Sequence, residues 1–303
     1  MKQVIWLSFE QKIKEKILEA ENVIKEFLPK EEGLQKIICE AMNYSVLGGG
    51  KRLRPVMMKA TYELFGGKDD VIKPFMAAME MIHTYSLVHD DLPAMDNDEY
   101  RRGKKTTHAV FGETMGILAG DALLNYAFET AILALLTHPM NTNVPKALSI
   151  LARKAGVYGM IGGQVVDVEA EKKGENISRE KLDFIYRLKT GALIEASMMI
   201  GGALAGATDE ELERLEHAAT NLGLAFQIQD DILDVTSTFE ELGKPIGSDE
   251  KNQKSTYVTF EGLEKAKADV EAFSLDAKEI LASFGKKDEF LQALFAYLIH
   301  RKK

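Results

Sequence analysis

Residues 71–96 read VIKPFMAAMEMIHTYSLVHDDLPAMD, and this stretch contains both the pattern that decides the fold and the first sign of chemistry. Residues 75–88 are apolar with few charges, and the apolar side chains recur with the spacing of a helix. This segment leads into an acidic cluster that contains Asp90, Asp91 and Asp96. The sequence therefore predicts an apolar helix, over residues 71–91, that ends in carboxylates.

The same helical spacing extends over nearly the whole chain. In the first helix, apolar residues share one face at positions 13, 17, 20, 24 and 27. No stretch has the alternating pattern of a strand, and no short repeat or interdomain linker is present. We therefore predict an all-α fold, a single domain over residues 1–303 that forms a bundle of about ten helices. The helices after the first are predicted around residues 34–47, 55–66, 71–91, 113–137, 144–171, 178–206, 209–236, 256–284 and 287–300.

Composition and charge restrict the class of protein. Hydrophobic residues make up 46% of the 303 positions and charged residues 28%, which is typical of a soluble globular protein. The net charge of −9 argues against broad nucleic-acid binding. Cys39 is the only cysteine, so an intrachain disulfide is excluded and a reducing compartment fits.

No segment predicts export or membrane insertion. The apolar run at residues 4–7 is too short for the hydrophobic region of a signal peptide. Residues 190–208 form the longest low-charge segment, but Glu195 and many glycines and alanines favour a buried helix over a membrane span. We expect a soluble, cytoplasmic protein without integral membrane contact.

Two aspartate clusters, residues 90–96 and 230–234, give the strongest chemical signal. Carboxylates beside apolar surface are costly unless a cation binds them. Mg²⁺ is a natural partner, because proteins hold it with one or two carboxylates together with substrate phosphates. A solvated acidic helix end explains either cluster alone equally well. Two clusters, each preceded by an apolar helix, favour metal binding.

Spacing suggests how each cluster would work. Asp230 and Asp234 are four residues apart and share a face of a helix. Asp90 and Asp96 are six apart and would diverge on an unbroken helix. Pro93 removes a helical hydrogen bond, and a kink or helix end there would return both carboxylates to one metal.

A glycine-rich basic segment, GGGKRLRP at residues 48–55, precedes the first cluster. Glycines allow the backbone to approach an anion, and Lys51 and Arg54 would grip it. The segment is not a P-loop, because the Gly-x₄-Gly-Lys-Ser/Thr order is absent. An ordinary turn before a helix explains it as well. With the apolar helices and the metal clusters, it suggests a substrate with a diphosphate head and a hydrocarbon tail.

Other polar residues are weaker candidates, which a structural role or surface charge would also explain. His83 precedes the first cluster, where it would donate a hydrogen bond to a phosphate or carry charge. Gln227 lies three residues before Asp230, and a glutamine oxygen in an apolar cavity would stabilise a developing cation. Six further positions complete this set: Gln164, Asp167, Lys189 with Thr190, Lys244 and Lys254.

Taken together, these motifs and their order resemble those of the trans-isoprenyl diphosphate synthases. The resemblance covers nearly the whole chain and is greatest to the short-chain bacterial farnesyl diphosphate synthases. It rests on the basic segment at 48–55, the first aspartate motif with two extra residues, Arg101-Arg102, the Gly-Gln-x-x-Asp motif at 163–167, Lys189-Thr190, the second aspartate motif at 227–234, and the late lysines.

The resemblance implies a fold and an activity. The fold would be the isoprenoid synthase bundle around a central cavity, in a homodimer. The activity would be the Mg²⁺-dependent head-to-tail (1'-4) condensation of isopentenyl diphosphate with dimethylallyl and geranyl diphosphate to give farnesyl diphosphate. About three magnesium ions per site would be held chiefly by Asp90, Asp96 and Asp230. Asp91 and Asp234 would either lie farther from the metal, beside the residues that bind it, or bind it more weakly.

The resemblance also implies substrate-binding roles. Isopentenyl diphosphate would be held by Lys51, Arg54, His83 and Arg102. The allylic diphosphate would be held by Arg101, Gln164, Lys189, Thr190, Gln227, Lys244 and Lys254. Catalysis would depend on Lys189, Thr190 and Gln227, which face the allylic cation, together with Asp90 and Asp230.

Tyr85 is the predicted determinant of product length. It lies five residues before Asp90, about 7.5 Å along a helix, where its ring would form the floor of the tail cavity. In the family an aromatic residue here, with the two-residue insertion, accompanies a fifteen-carbon product. Ser86 is small, so the floor depends on Tyr85 alone. A core tyrosine without effect on length is the alternative.

Other functions remain open at this point. A geranylgeranyl or geranyl diphosphate synthase would share the chemistry and differ in the floor. A terpene cyclase would need no isopentenyl site, which Lys51, Arg54 and Arg102 argue against. A non-catalytic partner subunit would not need intact acidic clusters at both sites. A di-iron helical bundle is a further structural alternative.

Overall fold

The computed structural model describes residues 2–173, 177–236, 256–286 and 289–299, without the side chains of residues 2–8 and 173. The predicted all-α fold is confirmed. Among the described residues, the only strands are a two-residue antiparallel pair, β1 (Tyr100–Arg101) and β2 (Lys104–Lys105). The chain divides into two compact units, one of Met1–Lys59 with Gly67–Leu148 and the other of Ala60–Gly66 with Ser149–Lys303. The assignment of residues 1–303 to one domain stays a prediction.

The first unit is built around a buried helix, α4. This helix is buried on all sides over most of its length, as expected of a helix that is apolar all round. It packs mainly against α6 and also against α1 and α2. The helices that lie in this unit or begin in it are α1 (Lys2–Glu26), α2 (Lys36–Val46), α3 (Leu53–Leu64), α4 (Ile72–Asp90), α5 (Thr107–Phe111), α6 (Glu113–Thr137) and α7 (Val144–Ala155).

The second unit is organised by the long helix α11, which packs against α10 and α13. Its helix α10 is almost entirely buried, as predicted for residues 190–208. A π-helix (Tyr186–Gly191) joins α9 to α10. The α-helices are α8 (Met160–Lys173), α9 (Arg179–Ile185), α10 (Ala192–Leu204), α11 (Asp209–Thr236), α12 (Tyr257–Glu261), α13 (Leu263–Ser283) and α14 (Glu289–Ile299).

Three predicted helices are divided in the structure. The helix predicted over 144–171 is interrupted after Ala155, where Gly156 and Gly159 close a turn. The helix predicted over 178–206 contains the π-helix. The helix predicted over 256–284 is broken at Gly262, whose φ of 78° lies in the left-handed region that glycine tolerates. Glycines marked two of these breaks, whereas periodicity does not distinguish a π-turn from an α-turn.

Helix α6 has an unusual surface. By length and apolar composition it is the one helix among the described residues that would be able to cross a membrane, and 39% of its most apolar segment is buried. Its buried side packs against α4 and α2. Large apolar side chains remain exposed on it: Ile117, Leu118, Ile132, Leu133, Leu135 and Leu136. Residues 190–208, the longest low-charge segment in the sequence, lie instead mostly in the buried helix α10.

Candidate active site

The first aspartate cluster begins where α4 ends. The helix stops at Asp90, and the chain turns so that the backbone N–H of Asp96 donates to the carbonyl of Asp90 at 2.9 Å. The predicted helix end near Pro93 is therefore present. This turn brings Asp96 back beside Asp90, six residues earlier, which an unbroken helix would not do.

Asp91 is turned inward, away from the exposed part of the cluster. It is 4% exposed, and its Oδ1 accepts from Nε of Arg101 at 2.7 Å and from Nη2 at 2.6 Å. Burial alone would lower the pKa of Arg101, but this hydrogen bond and the nearby carboxylates raise it above its ordinary value. Asp91 thus orients the guanidinium of Arg101, which the short β-hairpin presents.

The basic loop that precedes α3 is held in a strained conformation. Gly49 and Gly50 have φ values of 98° and 145°, and Arg52 has a φ of 47°, unusual for a residue with a side chain. Arg102, whose φ is 54°, donates from Nη1 to the carbonyl of Gly49. The loop and the hairpin are therefore tied together, and they place Lys51 and Arg102 at the surface of the same unit.

Arg52 was missed in the sequence, yet it anchors this loop. It is 4% exposed, and it donates to Glu80 Oε1 and to the Val46 carbonyl, each at 2.7 Å. Glu80 is itself 2% exposed on α4. A single carboxylate inside the apolar helix 72–90 was the signal, because a buried charge requires a partner.

Arginines concentrate positive charge around His83. Burial, and then the guanidinium groups of Arg54 and Arg102, lower the pKa of His83 well below its ordinary value. Burial also lowers the pKa of Arg54 and of Arg102, each of which Glu80 partly offsets. His83 is therefore neutral at neutral pH. The cluster as a whole favours binding of an anion.

This depressed pKa predicts how stability depends on pH. The pKa of a histidine in the unfolded chain is about 6.5. Above that pH, His83 is neutral in both the folded and the unfolded state, and its contribution to the free energy of unfolding does not change with pH. Below that value, the unfolded chain takes up a proton that the folded chain excludes, so the free energy of unfolding falls. The slope is at most about 1.4 kcal/mol per pH unit. The free energy of unfolding, measured with denaturant at several values from pH 7.5 to pH 5, should fall less in His83→Gln than in the wild type. Replacing the 65%-exposed His217 by glutamine is the control, and equal slopes in wild type and His83→Gln would contradict the account.

In the second unit, the predicted catalytic residues lie together around the π-helix. Lys189 and Thr190 are in it, and such wide turns are frequent at functional sites. Lys189 Nζ donates to Asp167 Oδ2 on α8 at 2.5 Å. Thr190 Oγ1 donates to Gln227 Oε1 on α11 at 3.0 Å. Gln164 lies one turn before Asp167 on the same helix.

Glycines allow this close arrangement. A methyl group on Gly163 would overlap the backbone nitrogen of Lys189, and one on Gly223 would lie 3.1 Å from Cα of Gly191. The π-helix is therefore in direct backbone contact with both α8 and α11. Gly163, the glycine of the Gly-Gln-x-x-Asp motif, allows this close approach.

The second aspartate cluster lies near the end of α11. Asp230 and Asp234 are one turn apart on it, as predicted, and Asp234 is 5% exposed. Asp231, which the sequence analysis did not select, is 4% exposed. Its Oδ2 accepts from Tyr186 Oη at 2.6 Å and from the backbone N–H of Tyr257 at 2.7 Å. Asp231 thus joins α11 to the π-helix and to the start of α12.

This junction should contribute measurably to stability. Tyr186→Phe removes one hydrogen bond to a buried carboxylate and should lower the free energy of unfolding by about 1.5–3 kcal/mol. Asp231→Ala should lower it more, and the two effects should not add because they remove the same bond. Chemical denaturation without metal measures the free energy of unfolding of the two single variants and of the double variant. Tyr158→Phe, at a position 76% exposed, is the control. Additive effects would contradict a direct Tyr186–Asp231 contribution.

The donor sets fit Mg²⁺ bound together with phosphates. Among the described residues, no group of three or more His, Cys, Asp or Glu side chains lies together in a way that would hold a metal by itself. Each cluster instead offers two carboxylates, Asp90 with Asp96 and Asp230 with Asp234. Mg²⁺ is usually held by one or two carboxylates, with substrate phosphates and water completing its shell.

The di-iron alternative has one matching element. Glu80 and His83 have the Glu-x-x-His spacing of such sites. Glu80 is paired with Arg52, however, so it is not available as an iron ligand. The described residues therefore give no support to a di-iron centre.

The predicted floor residue is buried. Tyr85 is 6% exposed, and its Oη has no hydrogen-bond partner among the described residues. Burial, and then the charge of Asp90, raise the pKa of this phenol to about 12. Ser86 Oγ donates to the carbonyl of His83 at 2.9 Å and so stays within its own helix. Lys244 and Lys254 lie outside the described residues.

Comparison with known proteins agrees with this arrangement. The polyprenyl synthetase profile matches residues 35–297. The chain belongs to the polyprenyl synthetase family. It is therefore a prenyltransferase of the trans-isoprenyl diphosphate synthase type, whose members generally use Mg²⁺.

Curated relatives have more than one product. The chain is 44% identical to a geranylgeranyl diphosphate synthase of Cyanophora paradoxa, over 93% of this chain and 92% of that one. It is 42% identical to a farnesyl diphosphate synthase of Geobacillus stearothermophilus, over 90% and 91%. A crystal structure of an FPP/GFPP synthase from Zymomonas mobilis matches with a TM-score of 0.86 at 32% identity, over 97% and 99%. These similarities define the polyprenyl synthetase family and leave the product open.

Proposed function

We propose that the protein is a farnesyl diphosphate synthase. It condenses isopentenyl diphosphate with dimethylallyl diphosphate and then with geranyl diphosphate, head to tail. The observation that carries the product assignment is the buried Tyr85 ring, five residues before Asp90 on α4. The family membership of the chain supports the chemistry.

Each unit supplies its own groups to the reaction. In the first unit, Lys51, Arg54, His83 and Arg102 hold isopentenyl diphosphate, and Arg101 contacts the allylic diphosphate. Neutral His83 contributes a hydrogen bond, while the arginines contribute charge. In the second unit, Gln164, Lys189, Thr190 and Gln227 serve the allylic substrate, as would Lys244 and Lys254.

The condensation proceeds in three steps. The allylic C1–O bond breaks, and the diphosphate leaves with the electron pair. The double bond of isopentenyl diphosphate attacks C1 and forms the new carbon–carbon bond. A proton then leaves C2 of the former isopentenyl unit for the departed diphosphate. Thr190 Oγ1 donates its hydrogen to Gln227 Oε1, which leaves the lone pairs of the hydroxyl available to stabilise the allylic cation.

Bound Mg²⁺ makes the diphosphate a competent leaving group by neutralising its developing charge. Asp90 with Asp96, and Asp230 with Asp234, would hold the metal, with about three ions in total. Asp91 Oδ1 accepts hydrogen bonds from Arg101. We propose that it orients this guanidinium.

Product analysis tests the proposal directly. Purified protein would be incubated with Mg²⁺, isopentenyl diphosphate and dimethylallyl diphosphate, and the products separated by mass spectrometry. We expect mainly farnesyl diphosphate. A twenty-carbon product would favour a geranylgeranyl diphosphate synthase, the function named for a relative of 44% identity. The absence of any condensation product would favour a partner subunit.

The basic loop gives a separate prediction for substrate affinity. Lys51→Ala or Arg54→Ala should raise the KM for isopentenyl diphosphate by about tenfold or more, because each removes a charged hydrogen bond to the diphosphate. The KM for geranyl diphosphate should change little. Steady-state kinetics with one substrate saturating measures both constants. Lys59→Ala, on the same helix as Arg54 but paired with Glu19, is the matched control. A defect confined to the allylic substrate would mean that the two diphosphate sites are exchanged.

The surface of α6 supports a proposal for the assembly. Its exposed leucines and isoleucines suit burial against a second copy of the chain better than contact with water. We therefore propose a soluble, cytoplasmic homodimer that buries this face. Sedimentation analysis should report the mass of two chains.

A further inference from the structure

His89 lies between the proposed floor residue and the first aspartate of the metal cluster. It follows Tyr85 by four residues, so both side chains belong to one stripe of α4. The ring centroids are 5.9 Å apart, with an interplanar angle of 80°, which is an edge-to-face contact. Because Tyr85 Oη has no hydrogen bond among the described residues, its ring is positioned by packing of this kind.

Helix α6 holds the other side of the imidazole. His89 Nε2 lies 3.1 Å from the carbonyl oxygen of Ile117 and 3.8 Å from Asp121 Oδ1. Gly120 lies between these two residues in the sequence and is one of the buried residues of α6. A methyl group on Gly120 would overlap the imidazole ring. The glycine therefore makes the space that His89 occupies.

We propose that His89 and Gly120 determine product length through Tyr85, as positioning residues that hold its ring across the path of the growing tail. The inference rests on the proposed role of Tyr85 as the floor. Gly120 admits the imidazole, α6 fixes it by the Ile117 carbonyl, and the imidazole supports the Tyr85 ring. Product length is then set by two helices together and not by the bulk of one side chain.

The consequence concerns selectivity and not rate. Without the imidazole, the Tyr85 ring has room to move aside, and a fifteen-carbon product is extended once more. The lost support should raise the ratio of geranylgeranyl to farnesyl diphosphate by about two- to tenfold, the range expected for one aromatic edge contact. Replacing Tyr85 itself should raise it further.

The test is a comparison of product ratios in five variants. They are His89→Ala, Gly120→Ala, the double variant of these two, Tyr85→Ala as the reference, and Gly116→Ala as the matched control. Gly116 is one turn earlier on α6, and the three atoms nearest to a methyl group there would belong to Leu92, at 3.0 Å, and His108, at 3.1 Å and more. It therefore tests a glycine replacement on the same helix whose nearest neighbours do not include the imidazole of His89.

We expect His89→Ala to raise the ratio. Gly120→Ala should raise it in the wild-type background, where the methyl displaces the ring, and have no effect in the His89→Ala background, where no ring is present. Gly116→Ala should leave the ratio unchanged. The inference is overturned if His89→Ala has no effect while Tyr85→Ala lengthens the product, or if Gly120→Ala acts equally in both backgrounds. If Tyr85→Ala does not lengthen the product, the floor itself fails, and the inference fails with it.

Discussion

Replacing Asp90 or Asp230 by alanine should lower turnover by at least about 10²-fold, the largest effect that we expect of any single substitution. Each change removes a carboxylate that we propose to hold Mg²⁺ against the leaving diphosphate, so charge that develops in the transition state would no longer be neutralised. Turnover at saturating substrates and saturating Mg²⁺ is the measurement. Metal saturation matters, because a merely weakened site would be restored by added Mg²⁺.

Two comparisons make this result specific. Glu99→Gln removes an exposed acid three residues after Asp96 and should keep turnover within about twofold, as expected for surface changes. Chemical denaturation of Asp90→Ala without metal separates a loss of folding from a loss of turnover. Near-normal turnover in both aspartate variants would remove the proposed metal assignment.

Tyr85→Ala should change the product more than any other substitution. Truncation removes a buried ring from α4 and opens space beyond the fifteen-carbon position. Farnesyl diphosphate should then be extended, so that twenty-carbon and longer products become major components. Mass spectrometry of products at several times separates a true change in length from slow release of intermediates.

The matched control for this change is Tyr85→Phe. It keeps the ring and removes a hydroxyl that makes no hydrogen bond among the described residues, so the product distribution should not change. A product distribution altered by Tyr85→Phe would assign the effect to the hydroxyl. An unaltered distribution in Tyr85→Ala would return Tyr85 to an ordinary core residue.

Much of the fold follows from the sequence, because apolar periodicity is a local property. The bounds of α6 and α11 agree with the predicted ranges 113–137 and 209–236. The division of the ranges 144–171 and 256–284 depends on glycines that allow a turn but do not require one. The hairpin at residues 100–105 is too short for any alternating pattern to appear.

The site was predicted in its motifs but not in its contacts. Asp91 and Asp231 look like their neighbours in the sequence, whereas in the structure each is buried and accepts hydrogen bonds that hold other groups in place. Arg52 likewise looks like its neighbours Lys51 and Arg54 in the sequence, but in the structure it is buried and pairs with Glu80, 28 residues away. Pairings at such distances depend on tertiary packing, which no local spacing reveals.

The wide turn at residues 186–191 has a consequence for how this region tolerates change in length. A π-turn differs from an α-turn by one residue, so deleting any residue within it would allow a continuous α-helix to form. The flanking helices would keep their register, because the π-turn holds one residue more than an α-turn, but the residues inside the turn would move to α-helical positions. Lys189 and Thr190 would leave Asp167 and Gln227 although their own side chains were intact. Single-residue deletions here should therefore lower activity as much as replacement of Lys189 or Thr190 does. The turn at the exposed residues Val157 and Tyr158 should accept a deletion more readily.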